Sequence, residues 1–127
     1  MSGKSKGRSF EREIYKKLRD SKLFKKVNLT LGSGNTDETS DINVTTINGD
    51  LLVFELKTGD RTYLTEKNLN KWWDKLIKEC LETEQPFLTY REDYKPIMIM
   101  FYLKFVPSGN KLRIRTEFEQ WLNNLKK

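Results

Sequence analysis

Between Asp41 and Thr58 the chain reads Asp-Ile-Asn-Val-Thr-Thr-Ile-Asn-Gly-Asp-Leu-Leu-Val-Phe-Glu-Leu-Lys-Thr. Two runs rich in Val, Ile, Leu, Phe and Thr flank Asn48-Gly49, and Asn-Gly between such runs is the strongest short-range signal for a β-hairpin. Side chains alternate across a strand, so the register of this hairpin decides which of its charged residues can meet. A two-residue loop sets Asp41 across from Leu56, on the face away from Glu55 and Lys57. A three-residue loop, Asn48 to Asp50, pairs Ile47 with Leu51, Thr45 with Val53, Asn43 with Glu55 and Asp41 with Lys57, all on one face. The other face then carries Val44 against Phe54 and Ile42 against Leu56. The second register is expected, because it leaves that face wholly apolar at the charged end of the hairpin. Asp41, Glu55 and Lys57 then converge at one end of a sheet, where two carboxylates and an ammonium can hold a divalent metal and a water. Glu and Lys two apart on a strand are ordinarily a solvated pair contributing about 0.2–1 kcal/mol. Here they follow Leu-Leu-Val-Phe, an apolar run typical of a buried central strand, and charges at the end of such a strand point to a task.

What this cluster can hold is narrowed by what the chain lacks. It has no histidine, which excludes Ser-His-Asp hydrolases, Cys-His proteases, His-dependent nucleases and ordinary zinc sites built from this chain alone. Any metal must sit on oxygen ligands, and that favours Mg²⁺, with Mn²⁺ able to substitute. Cys80 is the only cysteine, so an internal disulfide is ruled out and a reducing compartment fits. Its helix-spaced apolar neighbours assign it to packing rather than reactivity. With 127 residues, the chain is expected to form one domain around a single core. Residues 1–26 hold ten Lys or Arg against three acids within a net charge of +6, so the rest of the chain is nearly neutral. A basic N-terminal quarter on a neutral body marks a polyanion docking surface, with a merely solvated lysine-rich helix as the alternative. Neither a signal-like apolar segment nor an apolar run of ~20 residues is present. A soluble protein acting inside a cell, without a membrane partner, is expected.

Along the chain, Met1 to Gly7 reads as a flexible basic arm. Phe10, Ile14 and Leu18 recur every four residues, predicting a helix from about Ser9, a plausible N-cap, to Ser21. Glu11 lies about 100° around from Phe10, at the margin of the buried stripe, while Glu13 points more toward solvent. Glu11 is therefore the better candidate to reach a site at the domain edge, unless it only complements the helix dipole. A strand is expected around Val27, Leu29 and Leu31. The Gly32-Ser33-Gly34-Asn35 loop after it can bring a backbone N–H or the Ser33 hydroxyl to a phosphate. Asp37 and Glu38 read as solvated loop residues. After the hairpin, Arg61 and Tyr63 are available to a substrate. A helix from Thr65, its cap, to about Glu84 carries Leu69, Trp72, Trp73, Leu76, Ile77, Cys80 and Leu81 at helical spacing, its tryptophans read as core. Gln85-Pro86 is expected to end it. Strands over 87–91, 97–105 and 112–115 follow, then a helix over 117–125 opened by a Thr116/Glu119 capping box. The expected order is α, β, β-hairpin, α, β, β, β, α, a mixed central β-sheet flanked by helices.

Taken together, Gly7-Arg8-Ser9-Phe10-Glu11-Arg12-Glu13-Ile14, Gly32-Ser33-Gly34, Ser40-Asp41-Ile42 and Phe54-Glu55-Leu56-Lys57 resemble the PD-(D/E)XK nuclease superfamily. Within it they are most similar to the archaeal-type Holliday junction resolvases, a group that has viral and phage members. The resemblance covers the first sixty residues and agrees beyond them in element order only. It implies a restriction-endonuclease-like core and a cofactor of Mg²⁺. Asp41 and Glu55 match the metal-binding carboxylates, Lys57 the catalytic lysine, Glu11 the first-helix glutamate and Ser33 the loop serine. Arg12 matches the basic residue beside that glutamate and, with Lys4, Lys6, Arg8 and Arg61, is expected to bind DNA. Ser40 departs from the family pattern, standing where the superfamily name has Pro. The implied activity is cleavage of four-way DNA junctions by a homodimer acting in the cytoplasm, for a viral or phage protein that of the host cell. A flap, nicking or restriction-like nuclease of the same superfamily shares these residues. A non-catalytic nucleic-acid-binding protein would need only the basic arm. The 97–105 strand and the Phe118/Trp121 side of the last helix are candidate dimer interfaces, with burial in the core as the alternative.

Overall fold

The four-residue recurrence of Phe10, Ile14 and Leu18 does form the buried stripe of a helix, α1 (Gly3–Asp20), in the computed structural model of the chain. The structure describes residues 3–30, 41–103 and 111–126, with side chains in α1 described from Gly7 onward. The helix begins at Gly3, so the arm expected over residues 1–7 is helical from its third residue and Ser9 is interior rather than an N-cap. Nothing between Gly3 and Ser9 breaks a helix, and extending an existing one fixes a single residue per hydrogen bond gained.

The strands are β1 (Phe24–Leu29), β2 (Ile42–Thr46), β3 (Leu51–Gly59), β4 (Glu84–Glu92), β5 (Met98–Leu103) and β6 (Leu112–Glu117). They form one six-stranded sheet in sequence order. All neighbours are antiparallel except β3 and β4, which run parallel. A parallel pair needs a crossover, and α2 (Glu66–Glu79) supplies it; α3 (Phe118–Leu125) follows β6 directly. The expected order of elements and the mixed sheet flanked by helices both hold, and the architecture is an α/β, restriction-endonuclease-like fold.

Strand alternation sorts two cores onto the two faces of this sheet. Ile42, Val44, Leu52, Phe54 and Leu56 pack with the α1 stripe and with Phe118, Trp121 and Leu122 of α3. Val53, Leu88, Tyr90 and Met100 pack with Leu69, Trp73 and Leu76 of α2. The two surfaces proposed for dimerisation are therefore largely core: Ile99, Met100 and Phe118 are fully buried and Trp121 is 7% exposed. Trp121 meets Phe54, Phe87, Phe101 and Phe118 with ring centroids 5.3–6.5 Å apart. Those rings consume the apolar area that a partner would otherwise have covered.

The hairpin register differs from the expected one. Thr45 pairs with Leu51, Val44 with Leu52, Asn43 with Val53 and Ile42 with Phe54. The loop is Ile47-Asn48-Gly49, closed by Thr46 N–H to the Asp50 carbonyl and Gly49 N–H to the Thr46 carbonyl, each 2.9 Å. Gly49 takes φ +91°, the left-handed third position that a three-residue hairpin loop reserves for glycine. Ile47 is left 73% exposed rather than paired. The shift is two residues, an even number, so every side chain keeps its expected face.

Other element ends move as well. Thr65 caps α2, its hydroxyl accepting from Asn68 N–H at 3.1 Å. The helix stops at Glu79 rather than Glu84, because residues from Glu84 on are drawn into pairing with β3, starting opposite Leu51. Pro86 lies inside β4 opposite Val53 of β3, before pairing with β5 starts at Phe87, so β4 is still an edge there, where a proline is tolerated. The Thr116/Glu119 capping box does not form. Thr116 is still in β6, Glu117 is the N-cap, and Glu119 instead pairs with Lys17 of α1 at 2.6 Å.

Candidate active site

Asp41 stands immediately before β2. Its N–H donates to the Phe54 carbonyl at 2.9 Å and its Oδ2 accepts from Leu56 N–H at 2.8 Å, so backbone on β3 fixes the carboxylate. Continuing the ladder one step places Asp41 across from Glu55 rather than Lys57. Glu55 and Lys57 project from the same face of β3, with Lys57 Nζ 3.7 Å from Glu55 Oε1 and the side chains only 25% and 20% exposed respectively.

The electrostatics follow from crowding two carboxylates with little water. Burial raises the Asp41 carboxyl above its ordinary range, against the opposing pull of the Leu56 N–H and the Lys57 ammonium. Glu55 is pushed from 4.5 up to about 8, first by burial and then by the negative charge and hydrogen bond of Asp41, with Lys57 opposing. In isolation the two carboxylates hold a proton between them that either would release in water. Glu11 is raised too, by burial and then by the Asp41 charge, with Arg8 opposing. Thus α1 brings Glu11 to the edge of the pair. Among the described residues no three His, Cys, Asp or Glu side chains are grouped to hold an ion between them, so Glu11 stands beside the Asp41–Glu55 pair rather than in it.

A family model described as "Phage putative PDDEXK endonuclease" matches residues 2–125. The chain belongs to this phage PDDEXK endonuclease family. Among solved structures, the Holliday junction resolvase Hjc of Archaeoglobus fulgidus is similar in fold. It shares 16% identity with a TM-score of 0.50, over 92% of this chain and 98% of that one. No curated protein sequence matches.

PD-(D/E)XK endonucleases use divalent metal ions, and the donor set here suits one. Two partly buried carboxylates with raised pKa values supply hard oxygen ligands and would gain from a cation between them. Asp41, Glu55 and Lys57 are brought together, and Glu11 to their margin. Arg8 and Arg12 are exposed on α1, and Arg61 is exposed in the turn after β3. Ser33, Asp37 and Glu38, like Ser40, lie outside the described residues, as do the side chains of Lys4 and Lys6.

Three residues near this carboxylate pair have roles that the sequence did not assign. Glu13, expected to point toward solvent, is held by Arg91 Nη1 at 3.0 and 3.2 Å from its two oxygens. The same guanidinium lies 5.1 Å over the Phe10 ring, so Arg91 of β4 ties down the α1 turn that carries Glu11. No local pattern announces a partner 78 residues away. Trp72 packs, partly buried, against the core on the α2 face as expected, and its ring also lies 4.9 Å from Lys57 Nζ. Here a signal did exist: adjacent residues on a helix point about 100° apart, so Trp72 and Trp73 cannot both face the sheet squarely. Trp73, only 4% exposed, holds the inner position.

Proposed function

We propose that this protein is a Mg²⁺-dependent endodeoxyribonuclease that resolves four-way DNA junctions as a homodimer, acting in the cytoplasm of the phage's host cell. The observation that carries the reading is the partly buried Asp41–Glu55 carboxylate pair with Lys57 on the same face of the sheet. Asp41, Glu55 and the Leu56 carbonyl would hold the metal, with Glu11 in position to extend the site. The ion supplies charge neutralisation at the scissile phosphate and its leaving oxygen. Lys57 would orient the attacking water through its ammonium or, in its neutral form, help to take that water's proton. Arg8, Arg12 and Arg61, with Lys4, Lys6 and Ser33, would bind backbone phosphates of the DNA. The reaction is direct hydrolysis, and resemblance to the resolvases predicts 5′-phosphate and 3′-hydroxyl products.

One chain offers one such site, whereas resolving a junction needs two opposed cuts, and a two-fold homodimer meets that need. Hjc is a Holliday junction resolvase, which favours the junction over other branched substrates. The test is a panel of four-way junction, flap, nicked duplex, linear duplex and single strand, with and without Mg²⁺. Preferential junction cleavage, lost in Glu55→Gln and Lys57→Ala, is expected. Equal cutting of flaps or linear duplex identifies another nuclease of the superfamily. Salt-sensitive binding without turnover in any metal identifies a non-catalytic DNA-binding protein, and junction cleavage that survives both substitutions removes the proposed site.

A further inference from the structure

Lys57 makes two contacts that respond oppositely to a cation at the carboxylates. Its Nζ lies 3.7 Å from Glu55 Oε1 and 4.9 Å from the centroid of the Trp72 ring. The first contact is conditional. Once Glu55 gives its charge to a divalent ion, the ammonium loses that attraction and feels the ion's repulsion instead. The second contact is not conditional. An indole face attracts an ammonium through its quadrupole and offers a hard divalent cation no oxygen ligand.

Trp72 is itself held in place from the end of β3. Tyr63 packs against it with ring centroids 4.9 Å apart. Tyr63 in turn is pinned at its backbone, its N–H donating to Asp60 Oδ1 at 3.1 Å and its carbonyl accepting from Asn68 Nδ2 at 2.7 Å. Asp60 Oδ1 also takes the N–H of Thr62 at 2.9 Å, which tightens the turn. The Tyr63 ring sits so close to Gly59 that a Cβ there would stand 2.8 Å from Tyr63 Cδ2. Only glycine at 59 allows this approach. Gly59, Tyr63 and Trp72 thus form a backed stack that ends on the Lys57 ammonium.

We infer that Trp72 is a positioning residue for Lys57, its ring holding the ammonium at its working place when Glu55 is engaged by metal. The consequence for cleavage rests on the nuclease reading; the holding of the ammonium does not. The experiment compares Trp72→Leu and Trp72→Phe in the full chain with two readouts. In metal-free protein, NMR of the Lys57 Cε protons should show an upfield ring-current shift, lost in Trp72→Leu and partly kept in Trp72→Phe. In single-turnover junction cleavage with Mg²⁺, Trp72→Leu should slow the chemical step about tenfold with junction Kd unchanged, and Trp72→Phe should stay within about threefold of the parent. The inference is overturned if Trp72→Leu cuts at the parental rate. It is equally overturned if Trp72→Phe is as slow as Trp72→Leu, which assigns the effect to volume, or if Kd weakens in step with rate, which makes Trp72 a DNA contact. Should the parent protein cut no DNA, the nuclease reading falls. The NMR readout then decides alone, and a full upfield shift persisting in Trp72→Leu overturns the inference.

Discussion

Replacing Glu55 by Gln should stabilise the metal-free protein at pH 8 even as it abolishes cleavage. Below about pH 4.5 Glu55 is protonated in both folded and unfolded chains and pH has no leverage through it. Between 4.5 and about 8 the folded protein keeps a proton that the unfolded chain releases. The unfolded state then binds fewer protons, so the free energy of unfolding falls as pH rises. Above about 8 the loss is complete. A carboxyl displaced from 4.5 to about 8 costs the fold about 3–5 kcal/mol once both states are ionised. Because the proton is shared with Asp41, part of that cost belongs to the pair rather than to Glu55 alone, and the substitution should recover about 2 kcal/mol of it. Urea unfolding in chelator at pH 5 and pH 8 measures it: Glu55→Gln should exceed the parent by about 2 kcal/mol at pH 8, and the gap should close at pH 5. Added Mg²⁺ at about 100 times its Kd should then stabilise the parent by about 2.7 kcal/mol and leave Glu55→Gln unmoved. A gap of the same size at both pH values, or a variant less stable than the parent at pH 8, refutes the shared-proton account of the site.

Three further outcomes are expected. Arg8→Gln with Arg12→Gln should weaken junction binding and reduce the slope of log K against log salt by about 2, measured by anisotropy titrations over a salt series. Tyr94 is fully exposed at φ 64°, a left-handed conformation that asparagine tolerates better, so Tyr94→Asn should raise stability by about 0.5–1 kcal/mol in urea unfolding. Phe118→Ala, at a fully buried ring contacting Trp121, should lower stability by about 3–5 kcal/mol, seen in the same assay.

How much of this was readable in the sequence depended on whether the controlling interaction is local. Apolar period gave α1, α2 and the hairpin strands, because burial of one face acts residue by residue along an element. It also placed Asp41, Glu55 and Lys57 on one face. Helix ends were less readable where sheet pairing decides them. The start of β4 is dictated by Leu51 across the parallel ladder, so α2 stops short of the proline that seemed to mark its end. The N-cap of α3 moved because β6 runs one residue past Thr116: Glu117, still paired with Met98, both ends the strand and caps the helix.

The hairpin shows the same division within a single motif. Asn48-Gly49 correctly announces a turn, yet turn length and turn position are separate quantities. A loop whose glycine occupies the left-handed third position starts one residue earlier than one whose Asn48 comes first, and moving both strands together shifts the pairing by two. Two is a full period of the pleat, so face survives where register does not. That is why Asp41, Glu55 and Lys57 share the expected face while the residue opposite Asp41 differs. The expected pairing set Asp41 opposite Lys57, with Glu55 one pair removed. The observed one sets Asp41 beside Glu55, and the proximity of the two carboxylates in a partly buried place raises the Glu55 carboxyl to about 8.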